Sequence, residues 1–468
     1  MFFAGIVAMQ SCRINNSPCP NPFRVFCAIG GRPITPKSTG RVILPPMRAL
    51  PLTLLFAAPA LAFDQSNPPA APPVWQMQES GTTAGLRGID SVDGTVAWAS
   101  GTGGTVLKTL DGGAHWTQCA IPDAAKDGAT LDFRGVQAWD ATTAIVMASG
   151  AGEKSRLYKT RDGCLHWTLL YTNPDRTGFW DAVTFWDREN GLLLGDPTES
   201  KYPLGSLRSV NSGTNKQHLE KDNQPHLEFN VLFTTDGGST WIRQMYHFAP
   251  TPIEITNTGN AAAFAASNSS LVIRGHAAWF GIGGKDGAYV YMGDSYRESP
   301  PGVICDCQPM PPPTIWFTHK VRVPLTGGND SSGIFSMAYR TPFGLPTEVF
   351  LKGGRTIYID HSMLIAVGGD YTKPNESTGT AAWSADKGEH WTASATPPHG
   401  FRSAVQWSES LKAWITVGTN GSDISRDDGK TWQPLDNGNW NALSLPFVVG
   451  PNGRIARINP AALPSEKR

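Results

Sequence analysis

Three arginines stand at matching places in this sequence. Each opens a short apolar run after a bulky residue: Leu86-Arg87-Gly88-Ile89, Phe133-Arg134-Gly135-Val136 and Phe401-Arg402-Ser403-Ala404. Two further runs have the same shape but carry Asp181 (Trp180-Asp181-Ala182-Val183) and Asn441 (Trp440-Asn441-Ala442-Leu443). A guanidinium presents paired, planar donors that match a carboxylate or phosphate. If the fold gathers Arg87, Arg134 and Arg402, the site takes an anion, with Trp180, Asp181 and Asn441 beside it. Asp196 and Asp370 follow glycine-ended apolar runs, with Asn420 and Asn452 in corresponding places, and extend the same set. Asp181 is the candidate catalytic acid, and Asp181 with Asp196 or Asp370 is the one carboxylate pair available for glycoside cleavage. The opposing reading is structural: Arg87 and Arg134 pair with Asp181 and with strand-end carbonyls, because a buried charge needs a partner.

The elements that must position these residues announce themselves by repetition. Thr109 to Trp116 (Thr-Leu-Asp-Gly-Gly-Ala-His-Trp) returns at Thr160 to Trp167, Thr234 to Trp241, Ser384 to Trp391 and Ser425 to Trp432. The shared members are a hydroxyl, then Asp111, Asp162, Asp236, Asp386 or Asp427, then Trp116, Trp167, Trp241, Trp391 or Trp432. In a hairpin the carboxylate accepts backbone N–H groups of its own turn. Glycine supplies positive φ, and tryptophan wedges against the neighbouring unit. Cys164 stands where four copies have glycine, which predicts a distorted second turn. His115, His166 and His390 read as surface turn residues.

The intervals between these aspartates, with seven apolar runs that each end in a glycine hairpin, predict an all-β fold. The expected architecture is a seven-bladed β-propeller of four-stranded antiparallel blades over residues 74–460. The segment Val74 to Gln78 closes the ring by supplying the last blade's missing strand. In such a fold the turn entering a blade and the turn joining its second and third strands share one face. The repeated Asp turns lie on the other. Residues 197–229 and 293–316 read as polar and Pro/Cys-rich surface inserts, and 461–468 as a tail.

Upstream, Met47-Arg48 followed by an apolar run and Ala60-Leu61-Ala62 reads as a signal peptide over 47–62, with a Pro-rich linker over 63–73. Residues 1–46 then read as a misassigned upstream extension. The expectation is a secreted or periplasmic protein with no membrane span. Export permits disulfides, and Cys119 and Cys164 are candidates for a bridge between adjacent units. Lys plus Arg and Asp plus Glu both number 39, which argues against a nucleic-acid surface. No metal-ligand spacing or dinucleotide fingerprint is present, so neither metal nor cofactor is expected.

The repeated turn resembles the Asp-box, or bacterial neuraminidase repeat. Sialidases share it, but their Arg-Ile-Pro-like motif has only Tyr339-Arg340-Thr341-Pro342 as a counterpart here, and no Glu stands in an inner-strand position. The chain more closely resembles the photosystem II stability/assembly factor family, in particular its secreted relatives in non-photosynthetic bacteria. The likeness runs through Asp132-Phe133-Arg134-Gly135-Val136, Phe179 to Asp187, Gly195-Asp196-Pro197, Ser331 to Ser336, Gly368-Gly369-Asp370-Tyr371 and Gly450 to Arg454. That resemblance implies a non-catalytic assembly propeller that docks a partner on an arginine-rich face. Its bacterial relatives are labelled oxidoreductase or glycosyl hydrolase. The expected function is capture of an anionic small molecule or a protein or peptide partner at an Arg-lined channel mouth. The alternative is a sialidase-like hydrolase or lyase using Asp181 there.

Overall fold

The computed structural model describes residues 72–121, 130–199, 227–243, 256–257, 260–295, 315–340, 347–350, 356–359 and 362–464. The upstream extension, the signal peptide, nearly all of the linker, the middle of both inserts with Cys305 and Cys307, and the last four residues of the tail lie outside them.

The described strands form four-stranded antiparallel sheets, one sheet of five strands, one of nine in which two successive blades are joined, and a separate two-stranded hairpin. The first blade is Leu86–Ser91, Ala97–Gly101, Val106–Thr109 and Thr117–Gln118; the second opens at Phe133–Ala138 and the third at Trp180–Phe185. The fourth is built on Ala277–Gly284, the fifth opens at Asn329–Arg340 and the sixth at Ala404–Ser408. The last consists of Ala442–Ser444, Phe447–Val449 and Ile455–Ile458, with Trp75–Gln78 as its outer strand. Trp75 stands opposite Ile458 and Gln78 opposite Ile455, so the chain ends are tied in one sheet. The second strands are continuous apolar runs because blades cover both of their faces. Ala97–Gly101 and Ala144–Ala148 are buried at every position.

The seven innermost strands neighbour one another in a closed cycle. Their channel edges leave backbone groups without a ladder partner, and an unpaired buried amide costs about 1–3 kcal/mol. Polar groups from the adjacent blade meet this need at every joint. Asp90 accepts the Ala138 amide (2.7 Å), Gln137 that of Phe185 (2.8 Å) and Asn268 that of Val183 (2.8 Å). Ser269 O accepts the Met337 amide (2.8 Å) and Ser336 Oγ that of Val405 (3.0 Å). Gln406 accepts the Leu445 amide (2.6 Å), and Ser444 that of Ser91 (2.9 Å). This belt explains why polar residues interrupt the inner strands.

All five repeated turns have one geometry. The Thr or Ser hydroxyl donates to the Asp Oδ1 at 2.8–3.0 Å. The amide four residues after the Asp donates to the same oxygen at 2.9 Å in each. The other oxygen meets His115, His166 or His390 Nδ1, or takes the Thr240 or Thr431 hydroxyl. Amide and imidazole contacts from His115 and His166 hold Asp111 and Asp162 at about 2. Each turn's tryptophan packs on the preceding blade. Trp167 meets Trp98 edge-on at 6.3 Å, and Trp116 meets Phe447 at 5.7 Å. Such pairs contribute roughly 0.5–1.5 kcal/mol beyond area burial.

Two expectations need correction, and two features of the blades were not expected. The second turn is not distorted: Cys164 takes φ 73°, beside 77–98° at its glycine counterparts, and keeps every hydrogen bond of the pattern. Cys164 is disulfide-bonded to Cys119, with Cα atoms 5.5 Å apart, which staples the first blade's outer edge to the second blade's turn. The fourth blade's inner strand is interrupted. It is broken into Ala261–Ala262 and Leu271–Arg274 by a loop in which Asn268 takes φ 64°. The insert at 197–229 begins later than its sequence suggests, because Pro197 to Glu199 pair with Leu227 to Phe229 and lengthen the third blade's central hairpin. Finally, the fifth blade carries an excursion the sequence reading passed over, the hairpin Thr347–Phe350 with Thr356–Ile359.

Candidate functional site

The two faces separate as the topology requires. Repeated turns bond to the turns between first and second strands, as in Gly112 N to Thr95 O and Gly163 N to Thr142 O. Central-hairpin turns bond instead to inner-strand starts, as in Thr102 N to Gly85 O and Asp196 N to Phe179 O. The site residues belong to the second face.

Two of the three arginines come together there, on a residue the sequence reading overlooked. Arg134 Nε donates to Asp132 Oδ2 at 2.9 Å, and Arg87 Nε lies 3.2 Å from Asp132 Oδ1 in an ion pair without hydrogen-bond alignment. Arg134 Nη1 also donates to Ala265 O (3.3 Å) on the fourth blade, and its guanidinium lies 5.8 Å from the Phe179 ring centroid. Burial lowers the Arg87 pKa, Asp132 opposes that shift, and Arg134 adds to it. Both arginine side chains keep surface, 36% and 27% exposed. In place of the opposing reading's pairing with Asp181, Arg87 and Arg134 share Asp132, which stands two residues before Arg134 and so on the same side of the extended chain.

Asp181 and Asp196 form a carboxyl pair within reach of the Arg134 charge. Asp181 is 1% exposed and its Oδ2 has no hydrogen-bond partner. Burial pushes its pKa well above the ordinary carboxylate range, the Asp196 charge pushes it further, and Arg134 opposes both. Asp196 Oδ1 accepts the Ala263 amide at 3.0 Å, and burial lifts its pKa to about 6 against that hydrogen bond.

The remaining candidates do other work. Arg402 is fully buried in the sixth blade, not at the mouth. Its Nε donates to Asp423 Oδ2 at 2.7 Å, Nη2 to the same oxygen, and Nη1 to Phe401 O (2.6 Å) and Asn420 Oδ1 (2.5 Å). Trp180 is 2% exposed and stacks on Tyr171 with ring centroids 5.4 Å apart, so it offers no open aromatic surface. Asp370 ties its own turn together, accepting Ser331 Oγ (2.7 Å), Thr372 N (3.0 Å), Thr372 Oγ1 (2.6 Å) and Asn329 Nδ2 (3.1 Å). Burial raises its pKa, but the bonds from Thr372, Ser331 and Asn329 outweigh that and hold it at about 2. Asn441 Nδ2 donates to Leu86 O at 2.8 Å and joins the last blade to the first. Among the described residues no three His, Cys, Asp or Glu side chains are grouped to hold a metal ion. No described helix is long and apolar enough to cross a membrane.

No family model and no curated protein matches this chain. Solved structures do. One is YCF48 bound to D1 peptide, at 16% identity and TM-score 0.44, over 84% of this chain and 99% of that one. Another is YCF48 from Cyanidioschyzon merolae, at 17% identity and TM-score 0.45, over 83% and 99%. It is a likeness of fold alone.

Proposed function

We propose that this chain is an exported, non-catalytic binding propeller that holds a carboxylate, of a peptide or a small anion, at the mouth formed by Arg87, Asp132 and Arg134. The observation that carries this reading is the convergence of two partly exposed guanidiniums on one carboxylate. Two cations share one anion, so an incoming carboxylate completes the pairing instead of breaking it. Burial holds Asp181 toward its protonated form, which limits local negative charge. The Cys119–Cys164 bridge fits an oxidising compartment. The burial of Asp181 speaks against its reaching a glycosidic bond.

A peptide array with free carboxylate ends and matched amidated ends tests this directly. Wild-type protein is expected to retain a subset of the free-carboxylate peptides, and a folded Arg87→Ala, Arg134→Ala variant to lose them. Hydrolysis of fluorogenic glycosides, abolished by Asp181→Asn, would replace the binding reading with the enzymatic one.

A further inference from the structure

At the other end of the inner strands the channel holds a cavity of about 330 Å³ with residues from every blade in its wall. Arg87 and Asp90 are three residues apart on one strand, so the cavity lies about 10 Å from the arginines along the chain. Its polar ring includes Asp90, Gln137, Asn268, Ser269, Gln406 and Ser444, and among the described residues Asp90 is the one ionisable group lining it. The amides of Gln137 and Asn268 are committed to the backbones of Phe185 and Val183 through both oxygen and nitrogen. Asp90 is not saturated in this way. Its Oδ2 takes the Ala138 amide, and no cation among the described residues stands against it: burial and that single amide are what act on the carboxyl. A carboxylate with a free oxygen, in a chamber whose side-chain amides are already engaged with the backbone, is a receptor for positive charge. Ile89, Val136, Met337, Val405 and Leu443 form apolar wall between the polar groups. The volume equals that of roughly ten waters, enough for a short alkyl chain.

We propose that this axial cavity binds a small organic cation, with a primary ammonium group seated on Asp90 and its methylene chain against the apolar wall. The site is separate from the arginine mouth and does not depend on what that mouth binds.

Calorimetric titration with putrescine, beside 1,4-butanediol as the uncharged analogue, tests it. Wild-type protein is expected to bind putrescine and to bind the diol at least tenfold more weakly. Asp90→Asn keeps an oxygen for the Ala138 amide but removes the charge, and should weaken putrescine by about tenfold or more. Thr184→Phe, at a wall position outside the hydrogen-bond belt, leaves Asp90 intact and should exclude both ligands by filling the space. Absence of putrescine binding, equal binding of the diol, or unchanged affinity in folded Asp90→Asn or Thr184→Phe would each overturn the proposal.

Discussion

Cys164 offers a sharp test of how the repeated turns work, because one residue there serves two opposed roles. It closes a disulfide across 45 residues of sequence, which restricts the unfolded chain by about 4 kcal/mol on the loop-entropy model. It also sits at φ 73°, where a side chain costs about 1 kcal/mol relative to glycine. Two disulfide-free variants separate these terms. Cys119→Ser with Cys164→Ser should lose the full effect of the bridge, about 4 kcal/mol. Cys119→Ser with Cys164→Gly restores the residue the other turns favour, and should lose only about 3 kcal/mol. Urea unfolding followed by tryptophan fluorescence measures both, and comparing the two variants with each other cancels the bridge and the Cys119 substitution. A glycine variant no more stable than the serine variant would refute the claim that the turn's left-handed position is strained. If neither differs from wild type, the stapling argument fails.

Three further outcomes follow from the same physics. Arg402→Met leaves Asp423 buried without its cation and should destabilise by about 3–5 kcal/mol, whereas Arg134→Met at the partly exposed mouth should cost under about 1 kcal/mol; urea midpoints of the two variants check this. Gln406→Leu orphans the Leu445 amide in the belt and should cost about 1–3 kcal/mol, with faster amide hydrogen exchange at Leu445. The Asp181 and Asp196 pKa values are raised on folding, so the folded protein binds protons more tightly than the unfolded chain. Their contribution is present below about pH 4; that of Asp196 is lost as pH rises through about 6, and that of Asp181 as pH rises through its own raised pKa. Asp181→Asn should therefore be more stable than wild type at pH 7, with the difference shrinking toward pH 4; equal stability at pH 7 would contradict the buried-pair description.

Much of the architecture was legible because it repeats. A hydroxyl, an aspartate and a tryptophan at fixed spacing specify one turn, and five copies specify their own separation into blades. Closure by Trp75–Gln78 was legible because the last unit lacked an outer strand. The site was only partly legible. Arg402 occupies the same sequence position as Arg87 and Arg134, yet points into its blade because Asp423 stands on the third strand there. Counting back two residues from the hydroxyl of each repeated turn, the first two blades carry Leu107 and Tyr158 at that place. With no carboxylate at that third-strand place, Arg87 and Arg134 stay at the mouth and share Asp132. That comparison was available in the sequence, but it required aligning third strands, not only first ones. The break in the fourth blade was harder to see. Ser267-Asn268-Ser269 looks like an ordinary polar turn until the Val183 backbone of the adjacent blade supplies its reason.

The account rests most heavily on Arg87 and Arg134 being the groups that meet a ligand carboxylate. Nitrogen-15 NMR of the arginine Nε–H signals, assigned by single Arg→Lys variants, follows each side chain during titration with a carboxylate-ended peptide retained on the array. The Arg87 and Arg134 signals are expected to shift together and saturate at one concentration, while the Arg402 signal, locked to Asp423, stays in place. Saturable binding that leaves Arg87 and Arg134 unmoved would contradict the assignment of the site.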